Sequence, residues 1–269
     1  MTPIERFVYW IKERDSIRRK KEAGEPKPWT EDPILQRYRF CNVRRMDDKV
    51  SQWLLENWYK PNYGHPRTLV ACVMARHFNN PEALEEVGFP LLWKPERIKN
   101  VLRKRKASGN TIFNGAYMVR GIGTADKTEM VIDHVCQPLV DNPPELDPRS
   151  MQRCVEALLP YWGLSDFMAG QIVADLRWAV AGEWNDRFDW APPGPGSMRG
   201  LKRLLGDVCK DEFSSLLLRI IKTAKPMLSI QITRRLEAID WQSCLCEFDK
   251  YERTRLGEGR PKQTYPGVA

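Results

Sequence analysis

Histidine and β-strand patterning are the two scarcities of this chain, and each removes a class of answer. There are three histidines in 269 residues, His65, His77 and His134, and they form no ligand motif. Cys244 and Cys246 stand too close together, with no second cysteine pair, to make a zinc site. No structural metal is therefore expected. No apolar run approaches the ~20 residues of a membrane span, so the chain reads as soluble, with no membrane partner. The start, MTPIERFVYWIKERDSIRRKK, has no signal-peptide cleavage pattern, and the seven cysteines are odd in number and scattered. Both point to a reducing, cytoplasmic setting. A G-x-x-x-x-G-K-[ST] loop is missing, which excludes phosphoryl transfer by the P-loop route. Strand signals are confined to TIFNGAYMV (111–119), and no repeat or low-complexity tract is visible.

What remains is a charged, helix-patterned chain. Lys and Arg number 43 against 35 Asp and Glu, a net charge of +8, which suits a polyanionic partner without requiring one. Apolar side chains recur at Ile4, Phe7, Trp10, Ile11 and Ile17, predicting a helix over 3–23 that ends at Gly24 and the prolines beyond. Thr30, Asp32 and Pro33 announce a second, short helix. The same spacing, with Gly, Pro or Asn at the boundaries, predicts helices at 47–59, 66–78, 81–87, 95–107, 124–140, 150–160, 166–182, 197–206, 210–225 and 230–243. The expected fold class is all-α, two helical lobes with a reactive cleft between them. The expected organisation is one catalytic unit over 1–269, with residues 1–60 packing on 230–269 and a helical core over 61–229. RIKNVLRKRK (97–106) carries charge all round its helix and is read either as a second DNA-backbone contact or as a solvated face.

The segment LPYWGLSDFMAGQIVADL (159–176) is the sharpest local pattern: a helix ends at Leu159 and Pro160, a turn holds Gly163, and a second apolar helix follows. Such a turn presents backbone N–H groups beside a helix N-terminus, a natural phosphate site, so Gly163 and Ser165 are candidate DNA-backbone contacts. The segment resembles the helix-hairpin-helix of base-excision DNA glycosylases, with Leu159, Pro160, Gly163 and Ala169 in the matching places. Ser165 stands where a second glycine is usual, and as a cap-type residue it can open the second helix. Phe167 occupies the position where bifunctional members keep a Schiff-base lysine, so a lyase mechanism of that kind is excluded. The resemblance also implies a carboxylate just beyond the hairpin, within EWNDRFDWAPPGPGSMRGL (183–201). Asp189 is the first choice and Asp186 the second, with Trp190 placed to stack on a base and Arg199 to hold a phosphate.

Both ends of the chain carry a closer likeness. ERDSIRRKKEAGEPKPWTEDPILQRYRFCNVRRMDD (13–48) and LCEFDKYERTRLGEGRPKQTY (245–265) resemble the α-glutamyl/putrescinyl-thymine pyrophosphorylases, phage-type amino acid:DNA transferases related to glycosylases. Met46 is the departure, standing where that family's RRxDD stretch has an acidic residue. The resemblance implies an enzyme, in the host cytoplasm, that acts on double-stranded DNA. There an amine displaces pyrophosphate from the exocyclic methylene of a pyrophosphorylated hydroxymethyluracil. It also implies an amine co-substrate (amino acid or polyamine), a separate DNA kinase to supply the activated base, and no certain cofactor, magnesium being the natural companion of pyrophosphate. Arg14, Arg18, Arg39, Asn42, Arg44, Arg45 and Lys250 are then the candidate pyrophosphate ligands, since guanidinium forks suit its oxygens. Asp189 and Asp48 are the candidate acceptors of the amine proton. A monofunctional glycosylase and a non-catalytic DNA-binding module stay open beside this reading.

Overall fold

Several helices begin where the sequence supplies a donor-satisfying cap. Thr2 accepts from the Glu5 amide while Glu5 reaches back to the Thr2 amide, a reciprocal capping box that opens α1 (Pro3–Glu22). Asp32 accepts from the amides of Ile34 and Leu35 to open α2 (Pro33–Arg37). In the computed structural model, which describes residues 1–115 and 126–265, the helices continue in chain order. They are α3 (Lys49–Trp53), widening into a π-helical turn over Leu54–Tyr59, α4 (Thr68–Phe78), α5 (Pro81–Val87) and α6 (Pro95–Ala107). α7 (Lys127–Glu129) leads through a second π segment, Met130–Cys136, into α8 (Gln137–Asp141). Then come α9 (Met151–Leu158), α10 (Asp166–Ala179), α11 (Pro195–Leu205), α12 (Phe213–Ala224), α13 (Ile230–Thr233) and α14 (Ala238–Arg255).

The chain is all-α: among the described residues no strand forms, only an isolated antiparallel bridge between Tyr38 and Thr264. The strand signal at 111–119 lies partly outside the described residues, as does the start of the helix expected at 124; residues 111–115 are not extended into a strand. One helix expected over 230–243 is two. The chain breaks after Thr233 because Glu237 and Asp240 form a new capping box, and α14 then runs twelve residues beyond where the apolar spacing stopped.

Two units divide the chain, one made of residues 1–48 and 187–269 and the other of residues 49–186. The boundaries read from the sequence were 60/61 and 229/230. In the first unit Phe7 of α1 meets Phe248 edge-on at 5.2 Å and Trp241 at 6.3 Å, both on α14. α11 lies closest of all to α14, because Gly196 and Gly200 leave no side chain in the way. A Cβ at Gly200 would stand 2.0 Å from the Leu245 carbonyl oxygen, and one at Gly196 2.2 Å from Cys246 Sγ. Glycine is required here by contact, not by backbone angle.

In the second unit α4 is buried along nearly its whole circumference and packs on α10. Its Arg76, 2 % exposed, donates to Asp175 of α10 (Nη2–Oδ1 2.6 Å), which is fully buried and also accepts from Tyr59 Oη at 2.6 Å. α9, the turn 159–165 and α10 form the expected helical hairpin, with Gly163 in the left-handed region at φ 83°. Ser165 holds the N-cap position of α10, yet its side chain makes no capping hydrogen bond.

His77, 3 % exposed on α4, donates Nδ1–H to the Val73 carbonyl at 2.8 Å. Burial lowers its pKa, the backbone hydrogen bond opposing only in part. An unfolded imidazole, near 6.5, accepts a proton that the buried one refuses. Stability is therefore complete above about pH 6.5 and falls as pH drops below it. His77→Asn is expected to flatten the pH dependence of the urea midpoint below that value, and an unchanged slope would remove His77 as its source.

Candidate anion site

The polar residues singled out at the two ends of the sequence meet within the first unit, and burial governs what each does there. Arg14, on the inner face of α1 and 8 % exposed, donates Nε–H to the Phe40 carbonyl at 3.1 Å and Nη2–H to Asn42 Oδ1. Asn42 in turn donates to the Asp47 carbonyl at 2.6 Å. Both acceptors of Arg14 are neutral, and its Nη1, though buried, has no hydrogen-bond partner among the described residues. Burial pulls the Arg14 pKa down, and the nearby Tyr265, Cys41 and Glu247 resist it. A buried guanidinium held only by neutral acceptors keeps its full charge for an anion, which makes Arg14 the candidate centre of an anion site.

Around this centre the other cations are held by acids. Arg18 contacts Asp15 at 2.9 Å, Glu22 at 2.6 Å and Asp47 at 3.2 Å, and Arg44 contacts Asp47 at 3.3 Å. Burial keeps the Asp47 carboxyl above its usual range even so, with Arg44 and Arg18 pulling the other way. Lys250 pairs with Glu247, whose other oxygen accepts the Cys41 amide at 3.1 Å and so ties α14 to the 38–44 segment. Burial alone would lower the Lys250 pKa; the charge and hydrogen bond of Glu247 together with Cys41 and Cys246 outweigh it, and the net shift is upward. The charge of Glu247 pushes the thiol of Cys41, an exposed residue, upward, so it is no ready nucleophile.

Arg14, Arg18, Asn42 and Arg44 are thus brought together around Asn42 and Asp47, and Lys250 with Glu247 abuts the same 38–44 segment through the Cys41 amide. The Arg45 amide is fixed on Asp240 Oδ1 at 2.8 Å, whereas the Arg39 side chain is exposed and its amide bonds the Gln263 carbonyl at 3.0 Å. Asp48 and Asp189 are exposed residues of the same unit and Trp190 is half-buried; Asp189 has no hydrogen-bond partner among the described residues. Arg199 is not solitary, since Nε–H donates to Asp249 Oδ2 at 2.8 Å.

Gly163 and Ser165 belong to the second unit, as does Asp186. Asp186 accepts from Ser150 Oγ at 2.7 Å and from the amides of Met151 and Gln152 at 2.7 and 3.0 Å. It is a carboxylate seated on the N-terminus of α9, which occupies its lone pairs and explains its place in the sequence. The basic run on α6 is ion-paired, Lys99 with Glu96 and Asp133, Arg103 with Glu129, Arg105 with Glu82 and Glu86, and Lys106 with Asp126. That favours the solvated face over a second DNA contact.

Sequence reasoning passed over Asp47, Glu247 and Asp249. The available signal was acidic residues within an otherwise apolar helical stripe, CLCEFDKY, where carboxylates are buried only if paired.

An all-helical domain in which a buried arginine is held by neutral acceptors is the class that these features define. The chain belongs to the family described as the helical domain of 5-hmdU DNA kinase, whose model matches residues 2–260. It is 28% identical over 229 residues to "5-hmdU DNA kinase" of Bacillus phage SP10, across 75% of this chain and 36% of that protein. The chain therefore spans little more than a third of that relative's length. No solved structure matches it, and no helix among the described residues is long and apolar enough to cross a membrane.

Proposed function

We propose that this chain is a DNA-modifying helical unit that displaces pyrophosphate from 5-pyrophosphoryloxymethyluracil in DNA with an amine. The observation that carries the reading is Arg14, buried, held by neutral acceptors only, with Nη1 unpartnered. The relative's name supplies the chemical setting, a 5-hmdU base and a kinase that phosphorylates it, and the absence of a P-loop here leaves that phosphorylation to another protein or domain.

In the reaction the amine nitrogen bonds to the exocyclic methylene as its carbon–oxygen bond breaks, and the electron pair leaves with pyrophosphate. Arg14, oriented by Asn42 and the Phe40 carbonyl, meets the charge that develops on the leaving oxygen, with Arg39, Arg44, Arg45 and Lys250 lending positive potential. Asp189 or Asp48 takes the amine proton. Trp190 stacks on the extruded base, and the amides around Gly163 and Ser165 hold backbone phosphate.

A second reading is favoured by the family description itself: a helical domain that presents DNA to a kinase and does no chemistry of its own. One experiment separates them. DNA bearing the pyrophosphorylated base is incubated with the chain and glycine, glutamate or putrescine, with and without magnesium, and the nucleosides are weighed by mass spectrometry. A heavier nucleoside of base-plus-amine mass is expected. Abasic sites would make the chain a glycosylase. Unaltered DNA, with faster phosphorylation when a 5-hmdU kinase is added, would make it an accessory domain.

A further inference from the structure

Asp249 lies on α14, is wholly inaccessible, and is approached by three arginines. Arg199 Nε–H donates to Oδ2 at 2.8 Å and Arg203 Nε–H to Oδ1 at 3.3 Å, while Arg253 Nε lies 3.2 Å from Oδ2 as an ion pair without a formed hydrogen bond. Arg199 and Arg203 come from α11 and Arg253 from α14 itself, so the close Gly196 and Gly200 packing of the two helices sets their spacing. The Arg203 terminal nitrogens are taken by Glu258. Those of Arg199 and Arg253 have no acceptor among the described residues, and the two side chains are 53% and 35% exposed. Three cations thus face two carboxylates, and exposed Arg260 and Lys262 follow in the next turn.

A buried carboxylate that draws like charges together is costly unless the cluster is used. The Nε hydrogen bond stiffens the Arg199 guanidinium and leaves its end-on fork, the edge that matches a phosphate, directed away from the acid, while Arg253 is drawn to the same oxygen by charge alone. We infer that Arg199 and Arg253 form a clamp for a nucleic-acid backbone phosphate and that Asp249 is its positioning residue. The clamp is separate from Arg14, and it rests on the reading that the chain acts on DNA.

The test is binding of an unmodified DNA duplex by fluorescence anisotropy over a series of salt concentrations. R199Q and R253Q are each expected to weaken binding on the order of tenfold at low salt and to reduce the slope of log K against log salt by about 0.9, one phosphate contact each. D249N gives the diagnostic result. Removing a negative charge would tighten DNA binding if only net charge mattered, whereas loss of the positioning residue weakens it. Wild-type affinity and slope in folded R199Q and R253Q, or tighter binding by D249N, overturns the inference. Should D249N melt far below the parent, the two arginine variants decide alone. Inorganic pyrophosphate, followed by thermal shift, is the second arm: variants that lose its protection but keep DNA affinity would make the clamp a leaving-group site and overturn the backbone assignment. A parent chain that binds no DNA fails the functional reading itself; a parent that binds, with unaltered variants, fails the clamp only.

Discussion

Arg14→Lys is expected to slow single-turnover amine transfer by about a hundredfold or more while the chain stays folded and still binds unmodified DNA. The guanidinium uses two of its nitrogens on the Phe40 carbonyl and Asn42, so that the third, Nη1, is presented in a fixed direction. An ammonium keeps the charge but is a single point at the end of a flexible stem, and it cannot hold both neutral acceptors and a ligand oxygen together. The interaction is strongest with charge that develops as the carbon–oxygen bond breaks, so the loss should fall on the rate at saturating substrate more than on the substrate concentration needed. Arg18→Lys is the built-in contrast. Its guanidinium is already engaged by Asp15, Glu22 and Asp47, and only a small effect on rate is expected. If Arg14→Lys turned over within about threefold of the parent, a variation typical of an interaction that catalysis does not use, the anion would have to sit elsewhere. Equal loss of affinity for plain and modified DNA would make Arg14 a backbone contact instead.

The second large effect concerns stability. Asp175→Ala is expected to destabilise the 49–186 unit by about 3–5 kcal/mol, because it removes the buried carboxylate paired with the Arg76 guanidinium, 2 % exposed, and takes from the Tyr59 hydroxyl the acceptor Asp175 Oδ2. Asn79 and Ser51 remain beside Arg76 at 3.2 and 3.3 Å, and neutral oxygens offset only part of that burial. Replacing both partners together, Arg76→Met with Asp175→Leu, should recover much of the loss, since the penalty comes from the unpaired charge and not from the missing bond. Urea unfolding of the three proteins checks this. A single Asp175→Ala variant within about 1 kcal/mol of the parent, the scale of a surface pair, would show that water reaches Arg76 and that the pair contributes little.

The contrast between these two arginines explains what could be read in advance. Arg14, Asn42, Arg44 and Lys250 stood out because they lie in the terminal motifs that carry the family resemblance, and the structure sets Arg14 against Asn42 and Lys250 against Glu247. Arg76 and Asp175 gave no such signal. They lie 99 residues apart in apolar helices, and nothing local tells a buried ion pair from two surface charges. Asp186 misled in the other direction: a carboxylate near an expected active-site loop looks the same whether it faces substrate or seals the first turn of α9. The length of α14 was hidden for a related reason, as Glu247, Asp249 and Glu252 break the apolar period yet are buried on the helix.

By itself the sequence determined the all-helical class, most helix starts, the hairpin at 159–165 and the exclusion of a P-loop. These depend on short-range quantities: caps, glycine and proline positions and the 3.6-residue period act within one or two turns. Tertiary structure alone decided which cations are already neutralised. Arg18 is matched by Asp47 and Lys250 by Glu247, Arg199, Arg203 and Arg253 outnumber the carboxylates of Asp249 and Glu258, and Arg14 is left with neutral acceptors. The reason is physical. A charge acquires its meaning from its burial and its partner, and both come from segments distant in the chain, brought together only when α1, α11 and α14 pack.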